Sequence, residues 1–155
     1  MSYILLKYLH IVSSTILFGT GLGTAFHGWM ANRNGDLSAI SVVNRNVVIA
    51  DWIFTAPAVV IQPATGVMLA MNAGYPLGNG WLIASLCLYA VAGGCWLPVV
   101  WLQIRMQRMA EIAIRERQNL PPLYRQYARL WFLLGWPAFG CVLAIFFLMI
   151  AKPSF

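Results

Sequence analysis

Four long apolar stretches alternate with short polar intervals along the chain, roughly Ile4–Ala31, Val47–Ala73, Trp81–Ile104 and Ala128–Ile150. Each exceeds the ~20 residues that an α-helix needs to cross a ~30 Å hydrocarbon core. Lipid offers no partner for backbone N–H and C=O groups, so runs of this length cross a bilayer as helices. The pattern therefore predicts an all-α, four-transmembrane-helix bundle that occupies residues 1–155 as a single integral membrane domain.

Composition strengthens this reading. Hydrophobic residues make up 61% of the chain and charged residues 9%, against about 25% charged in an ordinary soluble domain. The longest interval, Arg105–Tyr127, has room for a short interfacial helix at most. The first run is too long for a signal peptide and lacks a cleavage site, so it is expected to stay as a helix. A net charge of +6 does not imply a nucleic-acid partner, because the arginines are confined to the intervals and form no basic, aromatic-interleaved surface. Cys87, Cys95 and Cys141 all fall inside apolar stretches without C-x-x-C spacing. That argues against a disulfide frame or a zinc site.

Loop charge predicts orientation. The first interval, Asn32–Asn46, carries Arg33 and Arg45, and the third carries five arginines, with Arg129 just beyond it. The turn Gly74–Gly80 carries no charge. Cytoplasmic loops accumulate Lys and Arg, so both termini and the Gly74–Gly80 turn are expected outside a bacterial inner (cytoplasmic) membrane, an N-out/C-out arrangement. Trp29, Trp52, Trp101 and Trp131 then fall at the cytoplasmic interface and Trp81 at the outer one. Trp96 and Trp136 lie deeper and are expected to pack inside the bundle.

Helical periodicity separates inward from lipid-facing positions. A 100° step places His10, Ser14, Leu17, Gly21, Thr24 and Gly28 on one face of the first span. Gly19 and Gly23 form a G-x-x-x-G on the opposite side, a candidate second contact that would suit a homo-oligomer. The second span has a polar stripe of Asp51, Thr55, Ala58, Gln62, Thr65 and Asn72, interrupted by Pro57 and Pro63. Polar side chains along one side of a membrane helix must face protein, water or ligand.

An ionisable residue inside a span is a functional candidate. His10 lies about two turns inside the outer end, with Lys7 one turn outward. An axial imidazole with a cation toward water suits a b-type haem, whose iron takes the imidazole and whose propionates want positive partners. The alternative is a structural histidine, satisfied by a neighbouring helix, beside a snorkelling lysine. His27 is 17 residues further on, about 25 Å along the helix, so it shares no metal with His10. It lies at the depth of Asp51, and the two are candidates for a proton relay or an interfacial hydrogen bond. Met68, with Met71 and Cys87, has the depth required of a second axial ligand. Ser14, Gln62 and Thr65 are candidates to line the haem cavity.

The run Lys7-Tyr8-Leu9-His10-Ile11, with Phe18-Gly19 and His27, resembles the first helix of the HemJ-type protoporphyrinogen oxidases. Phe54-Thr55-Ala56-Pro57-Ala58 through Thr65-Gly66 is similar to their second helix, and Gly80-Trp81-Leu82 to the start of their third. Nearly the whole chain is most similar to the bacterial integral membrane proteins of domain-of-unknown-function family 2269. The HemJ resemblance implies haem b held by His10. Its porphyrinogen-oxidising motif departs here, since Ile83-Ala84-Ser85 stands where those proteins have a His and a Lys.

The resulting expectation is a haem b redox protein with His10 as the metal ligand and Lys7, Met68, Ser14, Gln62 and Thr65 around the cofactor. A quinone or an oxidoreductase is its expected partner within the lipid bilayer. A non-enzymatic accessory or assembly subunit is the main alternative. A small-solute transporter is a further one, weakened by the lack of an inverted repeat.

Overall fold

The computed structural model describes residues 2–153 and is all-helical. Helix α1 spans Tyr3–Asn34, α2 Leu37–Ala50, α3 Ala56–Asn72, α4 Gly80–Glu116 and α5 Pro122–Ala151. A π-helical turn, Asp51–Thr55, joins α2 to α3, so Leu37–Asn72 is one continuous rod. Four rods are thus long and apolar enough to cross a membrane.

The helices run beyond the apolar stretches, for local reasons. Asn34-Gly35-Asp36 forms the whole turn between α1 and α2. Gly35 adopts φ 74° and its N–H donates to Ala31 O, the left-handed helix end that glycine tolerates without a Cβ penalty. Asp36 then accepts from the N–H groups of Ser38 and Ala39, capping the next helix immediately. The arginine-bearing segment Leu37–Asn46 is therefore helical. Likewise Arg105–Glu116 continues α4, and Pro122 at the first turn of α5 starts the fourth rod.

The prolines explain the irregular second rod. Pro57 has no N–H for Ile53 O, and its ring crowds that carbonyl. The turn just before it widens, so that Ala56 N–H reaches back to Asp51 O. Such a π-turn inserts one extra residue and rotates everything after it. Pro63 likewise leaves Val59 O without its helical donor, and Tyr89 OH on α4 donates to that carbonyl at 2.6 Å.

The rods pack as two antiparallel pairs, α1 with α3 and α4 with α5, tied together where α2 meets α4. Around this tie lies the main core: Ala31, Ile40, Leu102, Met106, Ala110, Tyr124 and Trp131. At the other end α3 and α4 diverge, and among the described residues Ala70, Trp81 and Leu82 form a small buried cluster. Lys152 Nζ closes that end, 4.7 Å from the Tyr75 ring centre and 3.2 Å from the Tyr75 hydroxyl, to which it donates.

Two tryptophans depart from expectation and a third meets it. Trp131 is buried rather than interfacial, its ring lying against Gly28. Trp136 is 64% exposed and faces outward instead of into the bundle. Trp96 does line an internal cavity. Trp29 and Trp101 carry Arg33 and Arg105 over their rings at 5.4 and 5.3 Å, an aromatic and cationic pairing suited to a headgroup layer.

Candidate functional site

The polar stripe of the second rod is two sites rather than one. In an unbroken α-helix Asp51, Thr55, Gln62 and Thr65 would share a face. The π-turn spans the first pair, Asp51 and Thr55, so the helix that carries Gln62 and Thr65 is rotated relative to them. Gln62 and Thr65 meet His10, whereas Asp51 and Thr55 meet each other and face α4. Asn72 stays exposed and its amide donates to Met68 O.

At the first site, Thr65 Oγ1 has one proton, which goes to Ile61 O at 2.7 Å. It therefore accepts from His10 Nδ1–H at 2.9 Å. This fixes the tautomer and leaves a lone pair on Nε2, to which Gln62 Nε2 donates at 3.2 Å. The other end of the Gln62 amide, Oε1, accepts from Ser13 Oγ. The chain Ser13–Gln62–His10–Thr65 thus clasps α1 to α3, with donors and acceptors matched at every step. Gly66 makes room for it, since a Cβ there would lie 3.0 Å from His10 Cε1.

His10 also borders a cavity of about 410 Å³ between the diverging pairs of rods. Ser14, Gln62, Gly66, Ser85, Phe146 and Met149 are among its walls. Ser14 donates to its own helix, at Ile11 O, so the α1 hydroxyl in the clasp is Ser13. Toward the termini the buried positions on α1 are Leu6 and Ser13, one residue off the face that a 100° step selects, whereas Gly28 on that face is buried at the other end. Met68 is 42% exposed on the outer surface of α3 and is absent from the cavity wall. The methionine that lines the cavity is instead Met149, on a helix for which periodicity gave no inward signal. Lys7 is exposed on α1, one turn beyond His10.

The structure does not bring His27 and Asp51 together. His27 is exposed and borders a groove with Val43, Asn46 and Ala50. Asp51 is buried, and its Oδ1 accepts from Thr55 Oγ1 at 2.9 Å. The π-turn aims Asp51 at α4, where Gln103 lies beside it, away from the His27 face of α1. Asp51 Oδ2, Gln103 Oε1 and Trp131 Nε1 are all buried without a partner. Gln103 could have been noticed as a lone polar residue near the end of the third apolar run. Its burial comes from the tie between α2 and α4.

Among the described residues no three His, Cys, Asp or Glu side chains cluster to hold a metal ion. A metal at His10 would therefore depend on a chelating prosthetic group for its other ligands. No curated protein and no solved structure matches the chain. Residues 4–153 match the model of a family described as predicted integral membrane protein, DUF2269, and the chain belongs to that family.

Proposed function

We propose that this integral membrane protein is a haem b redox protein of a bacterial inner membrane, with His10 as axial ligand. One observation carries the reading. Thr65 holds Nδ1–H, which leaves the lone pair on Nε2 and sets the ring at the wall of a membrane-embedded cavity. Anchoring of the distal nitrogen is the arrangement that orients ligating imidazoles. Gly66 leaves room for the ring, and Met149 lines the same cavity. Gln62 covers the lone pair at 3.2 Å, so its amide must turn aside for iron to bind, keeping Ser13 as its partner. Lys7 is the cation nearest in sequence for a propionate. A haem held there supplies one-electron transfer, and an oxidoreductase or quinone would be its partner.

The Gln62 bond also favours a second reading. An imidazole with both nitrogens satisfied is a clasp between helices, and the protein is then an accessory subunit. Purification from haem-replete cells separates the two. The haem reading expects a Soret band that shifts on dithionite reduction and is lost in His10→Ala. It expects Gln62→Leu to keep or raise haem occupancy, because the competing donor is gone. A colourless wild-type protein discards haem and leaves the clasp.

A further inference from the structure

The second polar site has features that the first does not explain. Asp51 is 6% exposed, Gln103 4% and Trp131 7%. They come from the π-turn, α4 and α5, and all three border one cavity of about 160 Å³. Each carries a buried polar atom with no partner: two acceptors, Asp51 Oδ2 and Gln103 Oε1, and one donor, Trp131 Nε1–H. Native proteins leave few such groups, and each one needs a reason. Among the described residues no Lys, Arg or His borders the cavity to supply Asp51 with a counter-charge.

The remaining walls are flat or small. Phe18, Tyr89, Trp96 and Phe139 supply aromatic surface. Gly21, Gly93 and Gly135 leave space, since a Cβ at any of them would meet nothing within 4 Å. The seam between α1 and α5 is thin and is bridged by Phe18, stacked on Phe139 at 4.9 Å. Both helices of that seam line the cavity, so a ligand from the bilayer can enter there.

We propose that this cavity binds the hydroquinone headgroup of a membrane quinol. The donor and acceptor inventory selects the class. A hydroquinone has two hydroxyls, each able to donate and to accept. They donate to Asp51 and Gln103, and one oxygen accepts from Trp131 Nε1–H, so all three unpartnered groups are satisfied. An ammonium ion would satisfy only the two acceptors. The ring stacks on the aromatic walls, and a lipid-soluble tail passes out between α1 and α5. The site lies apart from His10 and needs no haem, so it stands whichever reading of the clasp holds.

The test is titration of nanodisc-embedded protein with trimethylhydroquinone, followed through the tryptophan emission to which Trp96 and Trp131 contribute. Wild type should bind saturably. Asp51→Leu and Trp131→Phe should each weaken binding about tenfold or more, since each loses a buried hydrogen bond. Gly135→Phe, which fills the open space while keeping all three polar groups, should remove saturable binding. His10→Ala should bind as wild type does, which separates this site from the haem proposal. Thermal unfolding of each variant confirms that it is folded. The proposal is overturned if wild type shows no saturable binding or if Gly135→Phe binds normally. It is also overturned if benzyltrimethylammonium binds more tightly than the quinol in an Asp51-dependent way, which would make the site a cation site.

Discussion

At the arginine-rich end of the bundle, Tyr124 is 2% exposed and its hydroxyl accepts from the Asn44 amide at 3.0 Å. At the end that carries the termini, His10 is only partly buried and its partners border a 410 Å³ cavity. Both ends place polar side chains inside a membrane bundle and both give them partners. They differ in what surrounds the partners. Where α2 lies on α4, two pairs of helices close around Tyr124 and Trp131, and the polar contact is sealed in a core. Where α3 and α4 diverge, the same kind of contact faces open space. A sealed polar pair can only hold helices together, whereas one on a cavity wall can also meet a ligand. The Asp51 site lies between the two, as buried as Tyr124 but without its full set of partners.

The glycines offer the sharpest way to break this comparison. A Cβ at Gly28 would lie 2.8 Å from Trp131 Cη2, a ring locked in the closed end. Gly28→Leu should therefore destabilise the protein by about 1–3 kcal/mol or more, the range for overpacked cores. Gly66→Ala meets His10 Cε1 at 3.0 Å, but that imidazole has a cavity beside it and can yield. Its cost should be well under half as much. Thermal unfolding in detergent compares them directly, and equal losses would show that the terminal end is as tightly packed as the other.

Tyr124→Phe should have the next largest effect. It removes the acceptor of the buried Asn44 amide, and a stranded buried donor costs about 1–3 kcal/mol. The loss should not be relieved by water, since the surrounding core is closed. A double variant, Tyr124→Phe with Asn44→Leu, should recover part of the stability, because the unsatisfied amide is then gone. No recovery would mean that the pair does not carry the effect.

The apolar runs and the sparse charge made the four rods legible, because a helix satisfies its backbone groups within one continuous apolar run. The inward direction of His10 and Gln62 was also legible, since polar side chains must avoid acyl chains. Other features depended on information that a helical wheel lacks. The wheel assumes a constant 100° step, and the π-turn before Pro57 breaks it, dividing one expected stripe into two sites. The Asn34-Gly35-Asp36 stop and start was present as a capping signal but masked by the polar character of its surroundings. The role of Tyr89 carried no mark in the sequence, because its acceptor is a carbonyl that Pro63 frees on another helix. Trp131 and Met149 carry no periodic polar mark, and only the placement of α5 turns the one into the core and the other onto the His10 cavity.

Thr65→Val tests the open end. It keeps the shape of the side chain and removes the hydroxyl that accepts from His10 Nδ1–H. Hydrogen bonds between membrane helices contribute about 0.6 kcal/mol on average. At a site that borders a cavity, the freed imidazole can find another partner. The stability loss should therefore be less than that of Tyr124→Phe, while the nitrogen-15 signals of the His10 ring should shift as the tautomer loses its anchor. A loss as large as that at Tyr124 would place both polar sites in one closed core.

Gly19→Ala should have the smallest effect, and its sign carries the information. Gly19 is exposed on α1, and a Cβ there would meet nothing within 4 Å. In a single copy of the chain, replacing an interior helical glycine by alanine favours the helix by up to about 1 kcal/mol. The melting temperature should rise slightly. Gly19 and Gly23 are also spaced for close approach of another membrane helix. If two copies meet through that face, the added methyl separates them, and both the melting temperature and the dimer fraction in mild detergent should fall. A small rise with no change in mass assigns the face to lipid. A fall with loss of dimer assigns it to a second copy, and the bundle then has a third packed region, outside the two compared above and absent from any single chain.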